Sequence, residues 1–391
     1  MKLKRWLPVL SGTVLLTLLL GVLLGTAGAQ GVAGPPYPYY IPAIFNPPPP
    51  TPTRTPTRTP TATVTRTPTN TPTLPPISNT PPRWTTSYYF AVADPANLNA
   101  EARQIGCELG TRDLGLPGKQ DNLVILDFGT TKYVNGQYGA SLMYRNGFGT
   151  IAQIGEAVKQ FGYGYWDCVE SDFDSHLRIG IGTNNYTGST YPSVTYGHGQ
   201  AWAAMVNQVN DWFVNNCPRS CDGQVDAAGA NDIELGWGSP EATIDWLNGY
   251  DSVNRYPMYN YGALPGCPYF AAPGSQCGGN STVWTKERVW LVTDAGPVQS
   301  LPEIYRNDGV NAQQWYLMSV WAYQNKGKPM DFIGVMTQYQ ACLQRASSDP
   351  TCATLDNTAN QGWTQLHNLI NGDVRTRWPL QFSTDIKWLG E

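Results

Sequence analysis

A chain of 391 residues with a net charge of −4 and only 25 Lys+Arg, scattered along its length, carries no electrostatic footprint for nucleic acid. Charged residues make up 14% while Trp, Tyr, Gly and Asn are plentiful, a balance common in extracellular proteins that stack aromatic faces on sugar rings. The length suits one large α/β barrel preceded by segments that do not fold.

The first 29 residues read as a secretory signal. "MKLKRW" is a basic start, residues 7–24 are a Leu/Val-rich apolar run, and "AGA" before Gln30 is a small-residue cleavage site. The apolar run is close to the lower limit for a membrane span, so contact with a membrane is expected only if this segment stays uncleaved. Residues 30–82 hold "NPPPP" and the Thr-Pro repeats "TPTRTPTRTP". Proline blocks helices and sheet ladders and favours extended polyproline II, so this stretch is a semi-rigid spacer. The globular domain spans 83–391, and the expected setting is secreted or cell-surface.

Within the domain, "TTSYYFAV" and "LVILDFG" read as strands, the second continuously apolar as a doubly buried strand would be. "TIAQIGEAVKQFG" has helical spacing, "LRIGIGTNN" is a strand, and "GQAWAAMVNQVNDWFVNN" is an amphipathic helix. "QVDAAGANDIEL" is the next strand. "SPEATIDWLNGY" opens a helix, with Ser239 as N-cap and Pro240 in the first turn. "YPMYNYG", "RVWLVTDAG", "QQWYLM" and "MDFIGVMTQ" supply four more expected strands, and "GWTQLHNLING" a closing helix. Alternating β and α elements predict a parallel barrel or a doubly wound sheet. No Gly-rich phosphate fingerprint follows "LVILDFG", so the expected fold is a TIM-like (β/α)8 barrel with local irregularities and no nucleotide cofactor.

Alternation along the strands assigns their faces. Leu177, Ile179 and Ile181 belong under helices, which turns Arg178, Gly180, Gly182 and Asn184 into the barrel. The same sorting turns Asp226, Ala228, Ala230, Asp232 and Glu234 inward. Asp127 shares a face with Leu123 and Ile125, and Asp294 one with Trp290 and Val292. Several strands thus end in an inward carboxyl at the C-terminal end, where barrel enzymes keep their catalytic groups. Two carboxyls in Asp-x-Glu repel, so one keeps its proton near neutral pH. That chemistry suits glycoside hydrolysis, including cleavage assisted by a substrate N-acetyl group. Glu234 is the expected general acid, Asp232 its support, and Asp127 and Asp294 the groups that complete the site. Trp237, Tyr259, Tyr261, Trp290 and Trp315 are candidate sugar platforms. Asn184 and Gln338, at strand ends, are candidate polar contacts to substrate.

Eight cysteines in an exported chain read as disulfides: Cys217 with Cys221, Cys267 with Cys277, Cys342 with Cys352, leaving Cys107 with Cys168. No C-x-x-C pair exists and only His176, His198 and His367 are present, so a zinc site is not expected and no metal is assigned. The absence of a G-x-S-x-G elbow argues against a serine hydrolase.

"LDFG", "NDIELGW", "PMYNYG", "VWLVTDAG" and "QQWYLM", in that order, resemble the motifs of secreted family-25 muramidases of (β/α)-barrel fold. The resemblance implies that Asp127 matches their first-strand Asp, and that Asp232 with Glu234 match their D-x-E. Their further acidic and aromatic positions have no placed counterparts in this chain. "LDFG", "GTNN", "HGQAWA", the D-x-E strand and "PEIY…AQQW…GVMTQ" are also similar to a group of secreted bacterial proteins with no assigned activity, over about Cys107 to Gln338. Two functions follow. One is a monomeric hydrolase of peptidoglycan or another extracellular polysaccharide. The other is a non-catalytic surface module that binds envelope glycan or protein.

Overall fold

The structure, a computed structural model, describes residues 76–389 apart from 91–94, 143–146, 189–192, 218–220, 269–276, 278–282 and 346–349. The expected signal segment, and all but the end of the expected spacer, lie outside the described residues. In chain order the domain begins with β1 (Thr85–Tyr89), α1 (Leu98–Leu114) and β2 (Asp121–Val134). A hairpin, β3 (Gln137–Ser141) and β4 (Phe148–Thr150), leads to α2 (Ile151–Val169), β5 (His176–Asn184), α3 (Tyr196–Asn215) and β6 (Val225–Asp232). Then come α4 (Pro240–Asp251), β7 (Met258–Asn260), α5 (Lys286–Thr293), β8 (Val298–Ser300) and α6 (Val310–Lys326). The chain closes with β9 (Gly334–Thr337), α7 (Tyr339–Arg345), α8 (Ala359–Gly372) and β10 (Phe382–Trp388).

The sheet order is β8-β7-β6-β5-β2-β1-β10-β9, with every neighbouring pair parallel. Parallel bridges Ser300↔Phe332 and Glu303↔Met336 join the two outer strands and close the ring. The result is a TIM-like eight-stranded barrel with helices outside, to which β3 and β4 add an antiparallel extension along the upper half of β2.

Local chemistry sets the helix starts. Ser239 caps α4 through the Ala242 N–H (3.1 Å), with Pro240 at the first helical position. Thr150 and Thr358 each form a capping box with a glutamine three residues on. Two expected strands are helices instead. "RVWLVTDAG" forms α5 and the loop after it: Thr285 caps the start, and Val289 and Val292, three residues apart, are the buried face. "QQWYLM" lies in α6, where Ala312, Trp315, Ser319 and Ala322 recur at helical spacing toward the core. The strands filling those places are β8, three residues long, and β10, "FSTDIKW", whose polar residues hide its alternation.

The faces of the central strands are as the alternation predicts. Val124, Leu126, Leu177, Ile179, Ile181, Val225 and Ala227 join the core between sheet and helices. Leu123, Ile125, Ala228, Ala230, Tyr259 and Tyr261 form a separate cluster inside the barrel. The inward glycine Gly180 makes room for a neighbour, since a Cβ there would stand 2.3 Å from Ile125 Cδ1. At the N-terminal end Arg178 forms a two-point ion pair with Asp226 (2.7 and 2.8 Å), joined by His176 at 3.3 Å. Burial works against the Asp226 charge, but the guanidinium prevails and holds its pKa at about 2. This pair plugs the floor of the barrel.

All four expected cysteine pairs are within bonding range, with Cα–Cα distances of 5.0 Å (Cys107–Cys168), 5.5 Å (Cys217–Cys221), 4.5 Å (Cys267–Cys277) and 5.2 Å (Cys342–Cys352). Among the described residues no helix is long and apolar enough to cross a membrane.

Candidate active site

Four carboxyl groups gather at the C-terminal mouth of the barrel. Asp127 stands on β2 opposite Tyr89 of β1 and Gly182 of β5. Just above it β2 slips register against β5, and Gly129, with φ of 97°, absorbs the bulge. The Gly129 N–H turns back onto Asp127 Oδ1 (2.8 Å), while Oδ2 is buried without a hydrogen-bond partner. Gly182 beside it is small because the Tyr261 hydroxyl fills the space; a Cβ would come within 2.6 Å of that oxygen. Tyr261 donates to the Thr183 carbonyl (3.0 Å) and lies beside Asp127.

Asp232 ends β6 opposite Asn184, with Oδ1 buried and unpartnered. Glu234 follows after the strand has ended, and the Ala263 N–H donates to its carboxylate. The fourth carboxyl is Glu303, from "SLPEIY" after β8 at the seam that closes the ring. Tyr305 donates its hydroxyl proton to Glu303 Oε1 (2.7 Å) and is itself bonded to Tyr89, which stacks on Trp388 at 4.2 Å. The carboxyls of Glu303 and Glu234 face each other, with an oxygen of each within 4.8 Å, and each shifts the other's proton affinity.

Burial raises all four pKa values. It pushes Asp127 up to about 6, against the pull of the Gly129 N–H. Asp232 rises well above the carboxylate range through burial and the nearby charges of Glu303, Glu234 and Asp127. Burial brings Glu234 to about 7, and burial with the Glu234 charge holds Glu303 well above its usual value. Glu234 and Glu303 titrate as a unit. One oxygen each from Asp232, Glu234 and Glu303 lie within 4.8 Å of one another, so these three are the described side chains that could surround a hard cation.

Of the residues singled out from the sequence, Asp127, Asp232 and Glu234 meet in this mouth with Tyr261. Asn184 lies buried at its edge, where its Oδ1 accepts from the Tyr186 N–H (3.2 Å). Gln338 follows β9 at the same end. Trp237 is half-buried on the rim, edge-on to the exposed Tyr186 at 5.8 Å. The others lie elsewhere. Asp294 caps the C-terminus of α5 in a loop at the opposite end of the barrel, because its segment is helical. There it accepts from the Trp290 indole N–H (3.2 Å) and the Asp331 N–H (2.6 Å) and pairs with Lys328 (3.3 Å). Trp290 is on the outside of α5 against Lys326. Trp315 is buried in the helix layer, edge-on to Phe332. Tyr259 lies deep in the barrel, beside Arg178 and Asp226 of the floor. Glu303, Tyr89 and Tyr305 escaped the sequence reading. Glu303 sits in the quoted "PEIY", but it follows a strand too short to show periodicity.

No protein-family model and no curated protein sequence matches the chain. Among solved structures it is similar to a GH5-4 broad specificity endoglucanase from an uncultured bacterium, at 11% identity and a TM-score of 0.35, over 73% of this chain and 77% of that one. It is also similar to GH5_18 from Streptomyces cattleya in complex with GlcNAc, at 10% identity and a TM-score of 0.30, over 80% of this chain and 71% of that one. Neither is a family-25 muramidase.

Proposed function

We propose that the barrel is an exported glycoside hydrolase that acts as a monomer on peptidoglycan or a related extracellular polysaccharide. The facing carboxyls of Glu234 and Glu303 at the barrel mouth, close enough for their oxygens to lie within 4.8 Å, with burial keeping a proton on Glu234 up to about 7, carry this reading. Glycoside cleavage needs one carboxyl that keeps a proton and a second that meets the anomeric carbon as an anion. Glu234, half-buried and nearer the rim, is the general acid. Glu303, which accepts from the Tyr305 hydroxyl, is the second carboxyl and reacts as an anion when the proton sits on Glu234; Asp294 is too distant for this role. Asp127 supports the pair through its charge, which helps to raise Glu303, and Asp232 supports it from beside both carboxyls, an oxygen of each of the three lying within 4.8 Å. Inverting pairs stand roughly 6.5–9.5 Å apart to admit a water between them, whereas retaining pairs stand about 5–5.5 Å apart. Oxygens that approach within 4.8 Å fall short of the inverting separation, so the retaining route is the one proposed. Glu303 bonds to the anomeric carbon as Glu234 protonates the leaving oxygen; Glu234 then takes a proton from the water that displaces Glu303. The leader, the Thr/Pro spacer and the four cysteine pairs support export and display outside the cell.

The test is release of reducing ends from peptidoglycan and chitin-type substrates by the purified protein. Glu234→Gln should lower kcat by about 10²–10⁴-fold, the usual worth of a general acid. If wild type and variant bind glycan equally and neither cleaves it, the protein is a surface binding module. Undiminished cleavage by Glu234→Gln would remove Glu234 from the mechanism.

A further inference from the structure

Past Asp232 the backbone ladder between β5 and β6 runs out. Its last rung is the Asn185 N–H donating to the Asp232 carbonyl (3.2 Å), after which the β5 chain turns away, its Tyr186 N–H taken by Asn184 Oδ1. Glu234 therefore has no strand beside it. The Asn185 side chain takes that place: its Oδ1 accepts from the Glu234 N–H (3.0 Å) and its Nδ2 donates to the Glu234 carbonyl (3.1 Å). The other Nδ2 hydrogen goes to Thr243 Oγ1 (3.2 Å) in the first turn of α4, and Asn185 is fully buried. A planar amide that satisfies both backbone groups of one residue reproduces a rung of sheet without a strand. On the other side Gly262 presses against Ile233, where a Cβ would stand 2.3 Å from the Ile233 carbonyl oxygen, and Ala263 donates to the Glu234 carboxylate.

We infer that Asn185 is a positioning residue for Glu234, fixing its backbone so that the carboxyl points into the barrel toward Glu303. The inference deepens the reading of Glu234 as the acid and, for its effect on turnover, rests on it. A purely structural brace would look similar, and β6 supplies the comparison. Asn210 makes the same two-point bond to Ala227 (2.8 and 2.9 Å) on the helix-layer side of that strand, far below the mouth. Asn185→Ala and Asn210→Ala thus remove equivalent two-point bonds, one just past the end of β6 at Glu234 and the other within β6 at Ala227.

The experiment follows the Glu234 carboxyl by NMR in protein labelled at the glutamate carboxyl carbon, its signal identified by its loss in Glu234→Gln. The groups facing Glu234 are Asp232 at the end of β6, Glu303 from beyond β8 and the Ala263 N–H. Asn185→Ala should move the Glu234 midpoint by about half a pH unit or more as its distance from these groups changes. It should also lower kcat by roughly 10–100-fold, the cost of a small misplacement, with KM little changed. Asn210→Ala should lower Tm while leaving midpoint and kcat as in wild type. If Asn185→Ala fails to fold, the isosteric Asn185→Asp keeps the acceptor for the Glu234 N–H, loses the donor to its carbonyl, and should give an intermediate drop in kcat. A fall in Tm alike for both asparagines, with midpoint and kcat unmoved, would reduce Asn185 to a brace. If wild type cleaves no glycan, the hydrolase reading fails by itself, and the NMR midpoint still decides whether Asn185 positions Glu234.

Discussion

Glu303 is the group on which the charge balance of the mouth turns, because it faces Glu234, accepts a hydrogen bond from the Tyr305 hydroxyl and feels Asp127. In an unfolded chain Glu234 loses its proton near 4.5; in the fold it keeps it to about 7. Between those values the native state binds more protons than the unfolded state, so stability falls as pH rises through this window. Glu303, shifted in the same direction, adds to the effect. Glu303→Gln removes one of two facing charges, so its Tm should exceed that of wild type above about pH 7 and match it in acid, as thermal unfolding across pH would show. A wild-type Tm that rises from acid to neutral pH, with no gain in the variant, would contradict the raised values. Catalysis should fail in the same alkaline direction, since an acid that has lost its proton cannot protonate the leaving oxygen.

At the scale of elements, the helix layer is held by backbone contact at glycines. On α1 and α2, a Cβ at Gly106 would stand 2.0 Å from the Phe161 carbonyl oxygen, and one at Gly164 2.2 Å from that of Arg103. On α3 and α4, a Cβ at Gly199 would stand 1.9 Å from the Trp246 carbonyl oxygen. Backbone atoms cannot rotate aside, so the helices must separate to admit a methyl group. Gly199→Ala should cost about 1–3 kcal/mol or more, read as a lower urea midpoint with an unchanged m-value. Because His198 beside it accepts from the Trp246 indole N–H (2.9 Å) and binds the Gly139 carbonyl (2.8 Å), the shift should also disturb the hairpin β3–β4. A midpoint equal to wild type would mean that the two helices are not in this contact.

For the whole molecule, the disulfide of longest span joins Cys107 on α1 to Cys168 on α2, 61 residues apart in sequence. Closing a loop of that length in the unfolded chain contributes about 4 kcal/mol in the chain-entropy model. Replacing both cysteines by serine should lower Tm by several degrees and leave the barrel spectrum and any hydrolysis intact, since the bridge is in the helix layer. The other three pairs close short segments and should each contribute less. Loss of activity in step with the double serine variant would show that the mouth depends on this distant clamp.

Periodicity by itself determined much of this protein. Apolar alternation on β5 and β6 fixed their faces, because a period of two leaves one orientation that buries the aliphatic side chains, while β2 is apolar on both faces and shows only which residues Asp127 accompanies. The same alternation put Asp232 and Glu234 on the inward side. The cysteine pairs were legible from their spacing, and the α4 cap from Ser239 and Pro240. What failed was short or ambiguous. "RVWLVTDAG" and "QQWYLM" carry enough Val, Trp and Tyr to read as strands, and only their packing against the barrel decides that they are helices. With that decision Asp294 leaves the mouth. Glu303 enters it for the complementary reason: the strand before it is three residues long and its place comes from ring closure, a long-range event that no local pattern encodes. The Asn185 clamp belongs to the same class, because an amide beside a backbone 49 residues away exists only once β5 and β6 are paired.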